Sequence, residues 1–277
     1  MGFLQRIRRI FGGNGGESGE ILVNAKKLKN IQAMAYYIAC EEFDDRLYPC
    51  FTAIDRDSKC YDKHDIFYLS KLFANQIIFN DIEKTLVDNE HTDNGYIKRF
   101  FDFSSEKSHI WRDLDKKFYQ PFSTEQPLIL NLKDTPTISN VWPARPTGGQ
   151  KSRLARGIAE IGTPKSQWKE QDGEKHKASL FLPMGLLVVT ESGNHSIATG
   201  VLKSSGNIRI GGDTRRKIYD MSELYTFMYF DGVFYRKKAD NSIICGTKSF
   251  EFGAIFEIGR IVHEYDISFV DFCGRQE

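Results

Sequence analysis

Apolar positions recur along this chain in two rhythms, helical through the first half and strand-like through most of the second. Leu28, Ile31, Met34, Ala35 and Ile38 fall on one side of a 3.6-residue repeat and predict a first amphipathic helix. Phe67, Leu69, Leu72, Phe73, Ile77, Ile78, Ile82 and Leu86 predict a longer second helix. Residues 96–118, with Phe100, Phe101, Ile110, Trp111, Leu114 and Phe118, predict a third. Pro121 and Pro127 end that run, since proline removes a helical donor and crowds the preceding turn. Short β-branched and apolar blocks then predict strands at 128–132, 179–182, 186–190 and 207–210. One helix interrupts them, at 150–161, with Leu154, Ile158 and Ile161 on one side and Gly162 placed to stop it. Strand-like residues 225–229 and 233–235 flank Asp231-Gly232, a hairpin signal. The tail, 250–272, is apolar enough to pack back onto this sheet.

The expected class is α+β, a helical N-terminal region packed on a small mixed sheet. Its expected parts are a flexible basic arm at 1–19, a helical region at 20–125 and an α/β domain at 126–277. Composition agrees with a packed protein: 277 residues, 13% of them aromatic. Lys and Arg number 38 against 37 Asp and Glu, so no global basic field points to nucleic acid. No apolar stretch approaches the roughly 18–20 residues that span a bilayer, and residues 1–11 lack the continuous apolar core of a secretory signal. A cytoplasmic location is the resulting expectation. In the arm, Arg6, Arg8 and Arg9 stand among Phe3, Leu4, Ile7, Ile10 and Phe11, a turn or two of basic amphipathic helix. Gly-rich residues 12–19 then predict a flexible linker. The five cysteines are scattered; Cys60 and His64 form one close pair with no second pair to complete a zinc site, so reduced thiols and no structural metal are expected. His64, His91 and His109 are isolated and receive no role.

The chemistry concentrates at Gly193-Asn194-His195-Ser196. A buried strand precedes these residues and a helix start follows, an order that aims several backbone N–H groups at one point. The helix dipole favours negative charge there, and a phosphate or carboxylate is the natural occupant. His195 stands at the rim, able to donate a hydrogen bond or move a proton near neutral pH. Residues 140–149, punctuated by proline and glycine, hold Trp142 and Arg145. Lys151, Arg153 and Arg156 follow on the helix. The run 211–216 (Gly-Gly-Asp-Thr-Arg-Arg) reads first as a surface turn.

The order of strand, Arg-bearing loop, helix ending in glycine, strands and then strand-Gly-x-His-x-helix resembles the ParB/sulfiredoxin-like superfamily. In that family a helix of the form Leu-x-x-Ser-Ile-x-x-x-Gly follows a loop with proline and arginine. Here Leu154, Gly157, Ile158 and Gly162 hold that spacing, with glycine where serine is common. The family's second signature, a strand turning through Gly-x-His-Arg into a helix, is matched by residues 193–196. The likeness covers roughly residues 128–210. It implies a nucleotide-phosphate site, with ATP or CTP and Mg²⁺ as cofactors and phosphoryl transfer or NTP hydrolysis as the reaction. His195 would orient or protonate the transferred group; Gly193, Asn194 and Ser196 would cradle phosphate; Arg145 and Arg153 would balance its charge. Asp213 or Glu191 is a candidate for holding the Mg²⁺. Two departures weigh against catalysis: Ser196 replaces an arginine able to bind phosphate bidentately, and Asn194 stands where sulfiredoxins carry their reactive cysteine. The alternatives are therefore a protein-interaction module with a degenerate site, engaging a partner through the N-terminal helices, and a DNA-binding or nuclease component. The last needs Arg6, Arg8, Arg9, Lys26, Lys27, Lys29 and the 151–156 cluster on one surface.

Overall fold

Residues 250–264, part of the apolar tail, form the helix around which the rest is built. The computed structural model describes residues 15–39, 62–87, 100, 120–139, 157–159, 176–189, 192–214, 216–247 and 249–274. Its helices are α1 (Gly15–Ala39), α2 (Ile66–Val87), α3 (Asn194–Leu202), α4 (Ser222–Phe227), α5 (Phe250–Glu264) and α6 (Phe269–Gly274), with a short 3-10 turn at Lys63–Asp65. Its strands are β1 (Gln120–Phe122), β2 (Leu128–Asn131), β3 (Thr137–Ile138), β4 (Ala178–Leu182), β5 (Leu186–Val189), β6 (Asn207–Ile210), β7 (Lys217–Asp220), β8 (Met228–Phe230), β9 (Phe234–Lys237) and β10 (Ile243–Gly246). The class is α+β.

A helix apolar on every side belongs in an interior. In α5, Phe252, Ala254, Ile255, Phe256, Ile258, Ile261 and Val262 are all buried. It packs against α1, α2, α4 and β8, so the tail is covered mainly by helices rather than lying on the principal sheet as its pattern suggested. The reason is that residues 252–259, 261 and 262 are buried and point to every side of the helix, which a single sheet face cannot cover. Gly253 and Gly259 let neighbours approach: a Cβ on Gly253 would stand 2.3 Å from the Phe230 ring, and one on Gly259 2.3 Å from the Tyr225 hydroxyl. Phe100, Tyr225, Phe230 and Tyr235 gather around Phe252 and Phe256 of the helix in edge-on and tilted pairs, the geometry that ring quadrupoles favour.

Glu257 is the buried acid of α5, and its carboxylate is fully used. Its carboxylate accepts from the Phe230 backbone N–H (2.7 Å), from Gln32 Nε2 of α1 (3.0 Å) and from Arg260 Nε (2.8 Å). Burial works against the Arg260 charge, yet the adjacent Glu257 carboxylate holds the guanidinium pKa above its usual value. One buried core takes residues from α1, α2, the sheet and α6 together. It therefore crosses the boundary expected between 125 and 126.

The main sheet has the order β1-β7-β4-β5-β3. β4 and β5 form an antiparallel hairpin, while β3 runs parallel to β5 and β7 parallel to β4. β2 pairs with β6, and β8, β9 and β10 form a separate three-stranded sheet.

Two local expectations are corrected. Residues 15–19 continue α1 instead of forming a flexible linker; Glu17 falls in the first turn, where the helix dipole favours acids. Residues 225–227 are helical, in α4, and only Met228–Phe230 is strand. Asp220 starts that helix by accepting from the Ser222 N–H and hydroxyl, and burial of Tyr225 overrides aromatic strand preference. The hairpin at Asp231-Gly232 does form: β8 pairs with β9, and the Asp231 carboxylate accepts from the N–H groups of Val233 and Phe234.

Candidate functional site

Two strands deliver the chain to one edge of the main sheet. β3 pairs parallel with β5, Thr137 beside Leu187 and Ile138 beside Val188. Carried one residue further, that register sets Ser139 beside Val189. The chain thus leaves β5 toward the Gly193 turn at the same edge where it leaves β3 toward residues 140–149. Ligands of open α/β sheets gather beyond the carboxyl ends of parallel strands. Ser139 is 1% exposed, and its hydroxyl has no hydrogen-bond partner among the described residues.

Gly193 bends the chain there with φ 94° and ψ 3°, left-handed backbone that favours glycine. It is the N-cap of α3 and, as glycine, brings no capping side chain of its own. The first backbone bond of the helix runs from the Ile197 N–H to the Gly193 carbonyl at 2.9 Å. The amides of Asn194, His195 and Ser196 therefore lie ahead of the helical ladder, at the positive end of the dipole. Asn194 is 7% exposed, and His195 and Ser196 are half-buried. His195 Nε2 is shielded from solvent. The buried Thr199 hydroxyl donates to the His195 carbonyl at 2.7 Å, bracing the first turn of the helix.

The turn is anchored from the neighbouring strand. The Lys177 N–H donates to the Ser192 carbonyl at 3.0 Å, extending the β4–β5 ladder to the residue before Gly193. Behind Lys177, the His176 carbonyl accepts from Arg216 Nε at 2.8 Å, while Arg216 Nη1 donates to the Arg209 carbonyl at 2.7 Å. Arg216 is buried and structural. The turn before it is held by Thr124, whose hydroxyl accepts from the Gly212 N–H, and by Thr214, whose hydroxyl donates to the Gly211 carbonyl. Because β7 starts at the edge where β5 ends, this turn, with the exposed Asp213, opens on the same side of the sheet.

The two sequence motifs meet at one contact. Residues 157–159 are helical, and a Cβ added to Gly157 would stand 2.7 Å from Thr199 Oγ1. Glycine at 157 thus lets this helical turn lie close against α3. Arg145, Arg153, Lys151, Arg156 and Glu191 lie outside the described residues. So do most of the helix expected at 96–118, the arm at 1–11, His91, His109, Cys40, Cys50 and Cys60. His64 is buried, its Nδ1 2.6 Å from Asp62 Oδ1. Among the described residues no cluster of three or more metal-ligating side chains occurs, and no helix is long and apolar enough to cross a membrane.

A family model described as a family of unknown function (DUF6710) matches residues 24–269. The chain belongs to this family. The matched span includes the α1–α5 packing, the β3/β5 edge and the Gly193 turn. No curated protein and no solved structure matches the chain.

Sequence reasoning missed Lys177, His176 and Ser139. The stretch 163–177 is polar in sequence, yet His176 is buried at the head of β4. The available signal was the hairpin itself, since pairing 179–182 against 186–190 sets 177 opposite 190, two residues before 192.

Proposed function

We propose that this protein binds a nucleotide by its phosphates at the edge where β3 and β5 end. The observation that carries the reading is Gly193, a left-handed N-cap that starts α3 just beyond the carboxyl end of a parallel strand pair. Gly193, Asn194 and Ser196 cradle a phosphate, and His195 orients or protonates the outer group. Arg145, seven residues after β3 in sequence, and Arg153 are the proposed cations for the outer phosphates. ATP or CTP with Mg²⁺ is the ligand class, and phosphotransfer or NTP hydrolysis of ParB/sulfiredoxin-like type is the reaction it serves. The contact between Gly157 and Thr199 supports this reading, because it joins the two motifs that carry the resemblance.

Thermal unfolding with ATP or CTP and Mg²⁺ tests it. A ligand at a hundredfold its dissociation constant adds about 2.7 kcal/mol. The shift is expected for wild type and for His64→Ala, and is lost in His195→Ala. No shift with any nucleotide in the wild type refutes the reading.

A second reading, docking of a partner protein on the N-terminal helices, has its own support. Tyr68, Leu72 and Phe79 of α2 are each close to half exposed or more and share one helical stripe. Co-purification of a partner that Leu72→Asp and Phe79→Asp abolish, with no nucleotide effect, favours this alternative.

A further inference from the structure

The outer face of α1 combines exposed apolar side chains with lysines and carries no acid. Leu28, Ile31, Ala35 and Ala39 point into the core. On the opposite side Leu22, Lys26 and Lys29 make one line at i, i+4 and i+7, and Val23, Asn30 and Met34 make the line beside it. Leu22 is 48% exposed, Val23 64% and Met34 41%; Lys26 and Lys29 are exposed too. Residues 21–39 contain three lysines and no Asp or Glu. Lys27 is engaged otherwise, its ammonium 4.4 Å from the centre of the Phe250 ring.

The same chemistry runs through the preceding sequence. Residues 1–39 hold six basic and two acidic residues, whereas the other 238 residues hold 32 basic and 35 acidic. The near-neutral total thus conceals a positive N-terminal segment on a slightly negative body. Arg6, Arg8 and Arg9 alternate with Phe3, Leu4, Ile7, Ile10 and Phe11. Lysines beside exposed leucine, valine and methionine suit a surface that is anionic outside and apolar just beneath. Nucleic-acid phosphates would use the lysines and leave Leu22, Val23 and Met34 unanswered.

We infer that the outer face of α1 docks on an anionic phospholipid surface. The helix lies along the headgroups, Leu22, Val23 and Met34 enter the interface, and Lys26 and Lys29 meet lipid phosphates. This inference is independent of nucleotide binding at the β3/β5 edge.

Co-sedimentation of the full chain with phosphatidylcholine vesicles, with and without phosphatidylglycerol, tests it. The protein is expected to pellet with the anionic vesicles and stay in solution with the neutral ones. Each lysine near such a surface contributes about fivefold in partitioning, so Lys26→Glu/Lys29→Glu is expected to lower binding by about twenty-five-fold or more. Val23→Glu lowers it without removing a cation. All three positions are exposed, so unchanged thermal unfolding verifies that the variants fold. Because Arg6, Arg8 and Arg9 remain in every variant, unchanged vesicle binding by Lys26→Glu/Lys29→Glu overturns the assignment to α1. Equal binding to neutral and anionic vesicles overturns it as well. So does an absence of vesicle binding, whether or not DNA or an acidic peptide is retained in its place.

Discussion

Replacing Arg216 with methionine tests how the candidate turn is held. The guanidinium is buried and donates to two backbone carbonyls, His176 at 2.8 Å and Arg209 at 2.7 Å. Bonds from a charged donor contribute about 1.5–3 kcal/mol each. Their loss also leaves both carbonyls in need of new partners, while methionine restores part of the packing of the arginine stem. The net expectation is a destabilisation of about 3 kcal/mol, or roughly 6–12 °C in Tm for a chain of this size. Urea unfolding with the slope held in common measures it. A functional readout accompanies the stability change. His176 directly precedes Lys177, whose N–H fixes Ser192, so loosening this corner frees the Gly193 turn and weakens nucleotide binding well below the unfolding midpoint. A loss of stability under about 1 kcal/mol would refute the anchoring role. A full loss of stability with unaltered nucleotide affinity would refute its connection to the turn.

Three further outcomes are expected. Glu257→Ala removes the acceptor of the Phe230 N–H, Gln32 and Arg260 at the heart of the fold, and breaking such a buried pair costs about 3–5 kcal/mol; a midpoint within error of wild type in urea would contradict this. Lys71 Nζ donates to the Leu132 and Thr135 carbonyls, and burial pushes its pKa down from 10.5 to about 8 against the pull of Asp134. Between those values the unfolded chain binds more protons than the folded one, so the Lys71 contribution to stability rises with pH across that window. Lys71→Met should flatten the rise, and parallel pH profiles for the two proteins would count against the assignment. Burial raises the Cys245 thiol to about 11 and Cys273 to about 12; both should resist alkylation in the native protein at neutral pH and react once it is unfolded.

Strong periodicity made much of the architecture readable in advance. Leu28 to Ile38 and Phe67 to Leu86 are helices because their apolar faces repeat at helical spacing, and 207–210 is a strand over the expected residues. Pattern was weakest where tertiary burial decides between states. Tyr225 looks like a strand residue, yet it turns into the core from α4 because Asp220 nucleates a helix. The tail looked like sheet cover but is buried on all sides over residues 252–259 and forms the centre. At the candidate site, glycine before a helix start foretold the bend at 193. The support for that bend was not legible, because Lys177 and Arg216 reach it through strand register and backbone carbonyls, which carry no residue-type signature.

The most direct test of the nucleotide reading is to follow the backbone amide resonances of Asn194, His195 and Ser196 while ATP or CTP with Mg²⁺ is titrated into the protein. The account predicts saturable shifts at these three amides, lost when Gly193 is replaced by valine, a residue that resists the left-handed bend. Shifts confined to other parts of the chain, with these amides unmoved at saturating nucleotide, would contradict it.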